Sequence, residues 1–162
     1  MNIFNRTLFI VVACIMLEGC GDYSSPNSVV EHYARSIVNY DLRNTLSCIE
    51  GGEDILELFS DSEEIENLEY LMITIQEARR NGLVPNMDYR IISENIQEDY
   101  GTFQVEFIVE TLYGEHEGTR KFTQEIPVYK YNGIWWIGDE HPETELKALD
   151  VVKSVTSFYG SL

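Results

Sequence analysis

Behind the polar stretch Ser24-Ser25-Pro26, apolar residues recur at every fourth position, as Val29, Tyr33 and Ile37, with Val30, Ala34 and Val38 beside them. That stripe predicts an amphipathic helix ending near Tyr40. Ser28 and Glu31 have the spacing of a capping box, so Ser28 is expected as its N-cap. Asp41 is placed to cap a second, shorter helix that carries Leu42, Leu46 and Ile49 until Gly51-Gly52 breaks it. Helical spacing resumes at Glu53 with Ile55, Leu56 and Phe59. It restarts where Asp61 and Glu64 form a capping pair, and continues through Ile65, Leu68, Met72 and Ile75. Arg79 and Arg80 complement the negative helix end, and Asn81-Gly82 supplies a left-handed stop before Pro85.

From about Asp88 the period shortens to two. Phe103, Val105, Phe107, Val109, Thr111 and Tyr113 share one face, with Gln104, Glu106 and Glu110 opposite, which predicts a half-buried antiparallel strand. Its expected neighbours run from Tyr89 to Glu98, before a turn at Tyr100-Gly101, and from Arg120 to Tyr131. Asn132-Gly133 is the strongest hairpin signal in the chain and leads into Ile134-Trp135-Trp136-Ile137. Pro127 cannot donate to a ladder, so it marks a bulge or an outward-facing edge position. A last apolar pattern, with Leu149, Val152 and Tyr159 beside Ala148, Val151, Val155 and Phe158, predicts a C-terminal helix over 143–159. Helices followed by a meander of strands define an α+β class. The expected architecture is N-terminal helices packed on a curved four-stranded antiparallel meander, plus the C-terminal helix.

The opening of the chain follows a different logic. Met1 to Thr7 carries Arg6 and the amino terminus, and an apolar run follows from Leu8 to Leu17. As a helix that run spans about 15 Å, half of a bilayer core of about 30 Å. A cationic start, a short apolar stretch and a small residue at the boundary fit a removable secretory signal. Leu17-Glu18-Gly19-Cys20 resembles the lipobox of bacterial lipoproteins, in which cleavage precedes a cysteine that carries diacylglycerol. Leu17, Gly19 and Cys20 match, and Glu18 departs from the small uncharged residue usual there. The resemblance implies a signal peptide over 1–19, a lipidated Cys20 (a diacylglycerol and palmitate type of anchor) with a polar tether over 20–27, and a single α+β domain over 28–162. It also implies an outer-membrane address facing the periplasm, because Gly21 replaces the aspartate associated with inner-membrane retention.

Charge and cysteines then narrow the class. With 28 acidic against 11 basic residues the net charge is −17, which excludes phosphate-driven binding to nucleic acid. Of the three cysteines, Cys14 leaves with the signal and Cys20 takes lipid. Cys48 remains alone among apolar residues and reads as a small buried hydrophobe, with no disulfide expected.

Helices followed by a meander ending in Gly133-Ile134-Trp135-Trp136-Ile137 resemble the cone-shaped fold of nuclear transport factor 2 and its ketosteroid isomerase relatives. With Cys20, Ser25-Pro26 and Asp41-Leu42, the chain is more narrowly similar to small lipoproteins of unknown function in that superfamily. The resemblance implies a cavity toward which Tyr33, Tyr40, Asp41, Tyr89 and Trp136 would turn, and a homodimer through the sheet involving Tyr113, Tyr129 and Tyr131. The pattern itself reads Tyr33 as core, Asp41 as a cap and Trp136 as sheet. Glu115-His116-Glu117 and Asp139-Glu140-His141 lack metal-ligand spacing, and no nucleophile motif or phosphate loop occurs. No catalytic residue, metal or cofactor is expected.

Three functions stand as expectations. The first is a non-enzymatic, lipid-anchored envelope module that binds a protein or small ligand. The second is an immunity-type inhibitor, using acids around Glu53 to Glu69 against a basic toxin or hydrolase. The third is a small-molecule enzyme with a pocket in the cone.

Overall fold

A computed structural model of the chain describes residues 23–52, 54, 63–83, 86–111 and 118–140. The signal and Cys20, the turn at Glu53, the stretch from Ile55 to Phe59, the Asp61–Glu64 cap, Tyr113, the Glu115-His116-Glu117 tip, His141 and the C-terminal helix all lie outside the described residues.

Helix α1 spans Pro26–Val38. It begins three residues before the expected cap would allow. Ser25 is the N-cap, accepting from the Ser28 backbone N–H at 3.1 Å, while Ser28 Oγ closes the reciprocal half of the box. Pro26 explains the shift. Its fixed φ suits the first helical position, where a missing N–H costs nothing, so the helix starts at the proline and Ser28 falls inside it. Glu31 has no part in the cap.

The helix stops at Tyr40, a non-glycine residue at φ 54. There the Tyr40 N–H bonds to Ile37 O and the Asp41 N–H to Ser36 O, a Schellman closure built without glycine. Asp41 then caps α2, Leu42–Ser47, accepting from the Asn44 N–H at 3.1 Å. A buried polar knot joins the two helices, with Thr45 Oγ1 bonded to Ser36 Oγ at 3.1 Å and to Asp41 O at 2.7 Å. Helix α3 covers Glu63–Arg80. Gly82, at φ 68, ends it as the sequence predicts, its N–H on Arg79 O and that of Leu83 on Ala78 O.

Four antiparallel strands follow in the order β1-β2-β3-β4: Met87–Ile96, Tyr100–Thr111, Gly118–Tyr131 and Ile134–Ile137. The α+β class and the four-stranded antiparallel meander are as expected. Asn132 at φ 52 and Gly133 at φ 82 form the tight β3–β4 turn. The β1–β2 turn lies earlier than read, at Gln97–Asp99, and Gly101 is a strand residue facing Ile96. A Cβ on Gly101 would sit 2.6 Å from Ile96 Cδ1 and 2.9 Å from the Asn95 carbonyl oxygen. Close approach, and not turn geometry, is what requires glycine there. Ile92 is the extra residue of a bulge between Ile91 and Ser93 and reverses the side-chain parity of β1 beyond it. Pro127 O accepts from the Gly138 N–H at 3.0 Å, so the missing donor of Pro127 falls on the β4 side, past the last ladder pair of Val128 with Ile137.

The core lies between α1 and one face of the sheet. Val29, Val30, Tyr33, Ala34 and Ile37 from α1 join Leu46 and Cys48 against Phe103, Val105, Phe107, Ile126, Val128, Trp135 and Ile137. Helix α1 touches all four strands. Phe107 and Phe122, directly opposite in register, stack at 5.4 Å between ring centroids, a pairing that adds to their burial.

Replacing Ser25 by Ala should lower unfolding stability by about 1 kcal/mol, whereas Glu31→Ala should change it by less than half as much. Urea unfolding of both variants measures this, and a larger loss at Glu31 would return the cap to Ser28.

Candidate functional site

The residues expected around a cavity occupy separate settings. Tyr33 is in the core, where burial pushes its phenol well above the ordinary value, with Cys48 adding to that and Gln124 opposing it. Tyr89 reaches α1, its hydroxyl donating to Glu31 O at 3.3 Å. Trp136 stands at the other end of the sheet, its ring 6.0 Å from that of Tyr23. Tyr40 and Asp41 are neighbours at the α1–α2 corner. Leu17, Gly19 and Cys20 lie outside the described residues. Tyr129, read as an exposed interface tyrosine, is instead only 5% exposed, and its hydroxyl donates to Glu50 Oε2 at 2.8 Å.

Apart from Asp41, sequence reasoning missed the group that does converge. An open depression of roughly 540 Å³ is lined by Asn39, Asp41, Gln76, Arg79, Arg80 and Asn86. Its wall is the end of α1 met by the end of α3. Arg79 donates to Val38 O and, at 3.0 Å, to Asn39 Oδ1, and Gln76 Nε2 donates to Tyr40 O at 2.8 Å. Arg79 therefore caps a helix other than its own, satisfying the Val38 carbonyl that α1 leaves open. Asp41 spends Oδ1 on the Asn44 N–H and Oδ2 on Asn44 Nδ2 at 2.6 Å. The signal available in sequence was the Arg79-Arg80 pair, which pointed only to the dipole of α3. What remains for a ligand is a mixed-polarity surface of amides and guanidinium edges, suited to a small polar molecule or a partner's loop.

A second cluster gathers where the described chain begins. Tyr23 O accepts from the Trp135 N–H at 3.0 Å, and its hydroxyl meets Ser47 Oγ at 2.9 Å. Its ring lies edge-on to His32 at 5.8 Å. Burial lowers the pKa of His32, with Arg35 adding to that and Asp41 opposing it, so the imidazole is neutral near pH 7. Two residues further along β4, the Ile137 N–H donates to Cys48 O at 2.9 Å. Residues 23–25, assigned by the sequence to a free tether, are thus built into the domain. Cys48 is the small buried hydrophobe expected, with its thiol pushed up to about 12 by burial against the opposing hydrogen bonds of Tyr23 and Ser47.

On the other face of the sheet the acids have local partners. Glu106 meets Arg90 at 2.9 Å and Lys121 at 3.5 Å, and Gln104 donates to Glu125 at 2.6 Å. Of the acidic stretch from Glu53 to Glu69, the side chains other than that of Asp54 lie outside the described residues. Among the described residues there is no group of three or more His, Cys, Asp or Glu able to hold a metal, and no helix long and apolar enough to cross a membrane.

No protein-family model matches the chain, and no curated protein matches it. Solved structures with a loosely similar course include a SEC-C motif protein from Rhodopseudomonas palustris, with 9% identity and a TM-score of 0.44 over 75% of this chain and 81% of that one. A putative NTF2-like transpeptidase from Campylobacter jejuni has 12% identity and a TM-score of 0.39, over 70% of this chain and 96% of its own. A protein of unknown function from Mycobacterium tuberculosis has 12% identity and a TM-score of 0.38, over 97% and 92%. At such distances the activities of those proteins do not carry over to this chain.

Two outcomes follow from the buried groups. Arg79→Met should cost about 1–2 kcal/mol through the lost carbonyl partners, while Arg80→Met should stay within about 0.5 kcal/mol; denaturant midpoints at pH 7 separate them. Cys48 has an ordinary value of 9.0, and Tyr33, Tyr40 and Tyr129 one of 10.0, and all four are raised in the fold. Above about pH 9 the unfolded chain sheds protons that the native chain keeps, so stability falls as pH rises. Urea midpoints between about pH 7 and 10.5 should decline from about pH 9, and in Cys48→Ala the decline should begin nearer the tyrosine range.

Proposed function

We propose that this chain is a lipid-anchored protein of a bacterial envelope, held by diacylglycerol on Cys20, whose cone-like NTF2-type domain serves as a binding module and not as an enzyme. The observation that carries the reading is the order Leu17-Glu18-Gly19-Cys20 at the end of a short apolar run, three residues before Tyr23 takes its place in the fold. A segment that ends where a domain begins is what a removable signal and an anchor need. Gly21 directly after the cysteine favours the outer membrane, facing the periplasm.

A binding role is supported by how the reactive side chains are spent. Tyr33 is held neutral in the core, Asp41 is committed to Asn44, and Cys48 is buried with a raised pKa. The polar depression at the α1–α3 corner is the place offered to a ligand.

Expression of the full chain in a bacterium with lipoprotein processing, beside Cys20→Ala, tests the anchor. Mass spectrometry should find a wild-type chain that begins at Cys20 and carries lipid, in the membrane fraction. The variant should lose the lipid mass and the membrane association. An unmodified Cys20 in a processing-competent host would refute the reading.

A further inference from the structure

We infer that the domain does not hang free of the bilayer but rests on it, with the β3–β4 hairpin and the start of α1 against the lipid headgroups. The inference rests on the lipid anchor proposed above and adds an orientation to it.

Reach sets how far the domain can stand from the lipid. Tyr23 is fixed by its carbonyl on the Trp135 N–H, its hydroxyl on Ser47 and its ring against His32 and Trp136. Only Gly21 and Asp22 separate it from Cys20. Three residue steps span at most about 11 Å even when fully extended. A lipid on Cys20 therefore brings the membrane surface close to Tyr23, with no length of chain to hold the domain away.

What lies around Tyr23 suits that neighbour. The Asn132-Gly133 turn is two to three residues from Trp135 along the strand, within about 10 Å. Tyr131 and Ile134, paired across that turn, are 38% and 40% exposed. No acidic residue falls in Tyr23–Val30 or in Tyr129–Gly138, although Asp22, Glu31, Asp139 and Glu140 directly flank those segments, and the latter segment carries Lys130 and the half-buried Trp136. Lys130 lies over the Trp135 ring at 5.9 Å. Of the nearby acids, Glu50 accepts a hydrogen bond from the Tyr129 hydroxyl, and Asp99 touches Lys130 through its backbone carbonyl, which leaves the charge of its carboxylate unchanged. Aromatic side chains with polar tips and a lysine stem suit the headgroup level. An apolar side chain such as Ile134 gains there what it loses in water. The rest of a chain of net charge −17 would avoid anionic lipid, so the β3–β4 hairpin, with no acid between Tyr129 and Gly138, is the part of the domain best suited to approach it.

The test uses the full chain, lipidated and reconstituted into phosphatidylcholine vesicles that contain a nitroxide-headgroup phosphatidylcholine. Single cysteines are introduced as Ile134→Cys at the hairpin and Glu94→Cys on β1, and labelled with an environment-sensitive fluorophore. Strand β1 lies three strands away from β4, about 14 Å across the sheet. Cys48 is buried, and Cys20 is taken by lipid. Quenching should be several-fold stronger at position 134 than at 94. A Gly-Ser insert of about twenty residues between Gly21 and Asp22, with an r.m.s. span of about 25 Å, should abolish the difference. Equal quenching at the two positions on vesicle-bound, lipidated protein would overturn the orientation and leave the anchor standing. A chain that carries no lipid and does not float with the vesicles would overturn both.

Discussion

One helix covering one face of a four-stranded sheet is the constraint from which the rest follows. The inner face offers Phe103, Val105, Phe107, Ile126 and Val128, all essentially inaccessible to solvent. Each such side chain contributes about 1.5–3 kcal/mol when its burial is complete. That burial requires α1 to lie where it reaches every strand, so its two ends must be held. At the start Ser25 and Pro26 fix the entry. At the end there is no glycine, and Tyr40 accepts a left-handed conformation at a cost of about 1–2 kcal/mol because its ring is buried and its carbonyl is taken by Gln76. The α1–α2 knot and the Arg79 cap are consequences of ending a helix in that way.

The edges of the sheet are treated unequally. At β4, N–H groups that would otherwise face outward are given to Tyr23 O and Cys48 O, which removes a template for pairing with another chain. The same two bonds tie the first described residue and the end of α2 to the most aromatic strand. A short edge strand, with Trp135 buried on one side and Trp136 against Tyr23 on the other, thereby becomes an anchoring point for the whole N-terminal side. Edge pairing of copies through β4 would have to displace these contacts, and Tyr129 is not exposed to help it.

Much of this was legible in the residue pattern. The period-two run from Phe103, the Asn132-Gly133 turn and the Asn81-Gly82 stop each state a local geometry that tertiary packing does not override. Where the reading slipped, two local rules competed or a distant contact decided. Ser28 with Glu31 satisfied the spacing of a capping box, but Pro26 already fixed the first turn. Gly101 looked like turn punctuation because its need for space comes from Ile96, and register is not visible in composition. The polar depression was hidden for the same reason. Arg79 points to its own helix dipole in sequence, and nothing local reveals that it serves the last carbonyl of α1, some forty residues earlier. Tyr23 was read as tether because serines and a proline follow it, although its partners, Trp135 and Ser47, lie far along the chain.

That last misreading has the largest consequence for function. A long polar tether would let a strongly acidic domain float at any angle above a membrane, and its surface chemistry near the lipid would be of little account. With Tyr23 built into the sheet edge, the distance from Cys20 to the fold is shorter than the fold itself is wide. The segments Tyr23–Val30 and Tyr129–Gly138 are then placed by covalent geometry beside the proposed anchor, with Asp22, Asp139 and Glu140 at their ends, while Asp88, Glu94 and Glu110 sit on β1 and β2, away from β4. Under the proposed anchor, repulsion of the acidic surface from anionic headgroups and attraction at the aromatic hairpin would act in the same direction, both turning β4 toward the membrane and leaving the α1–α3 corner open to a ligand.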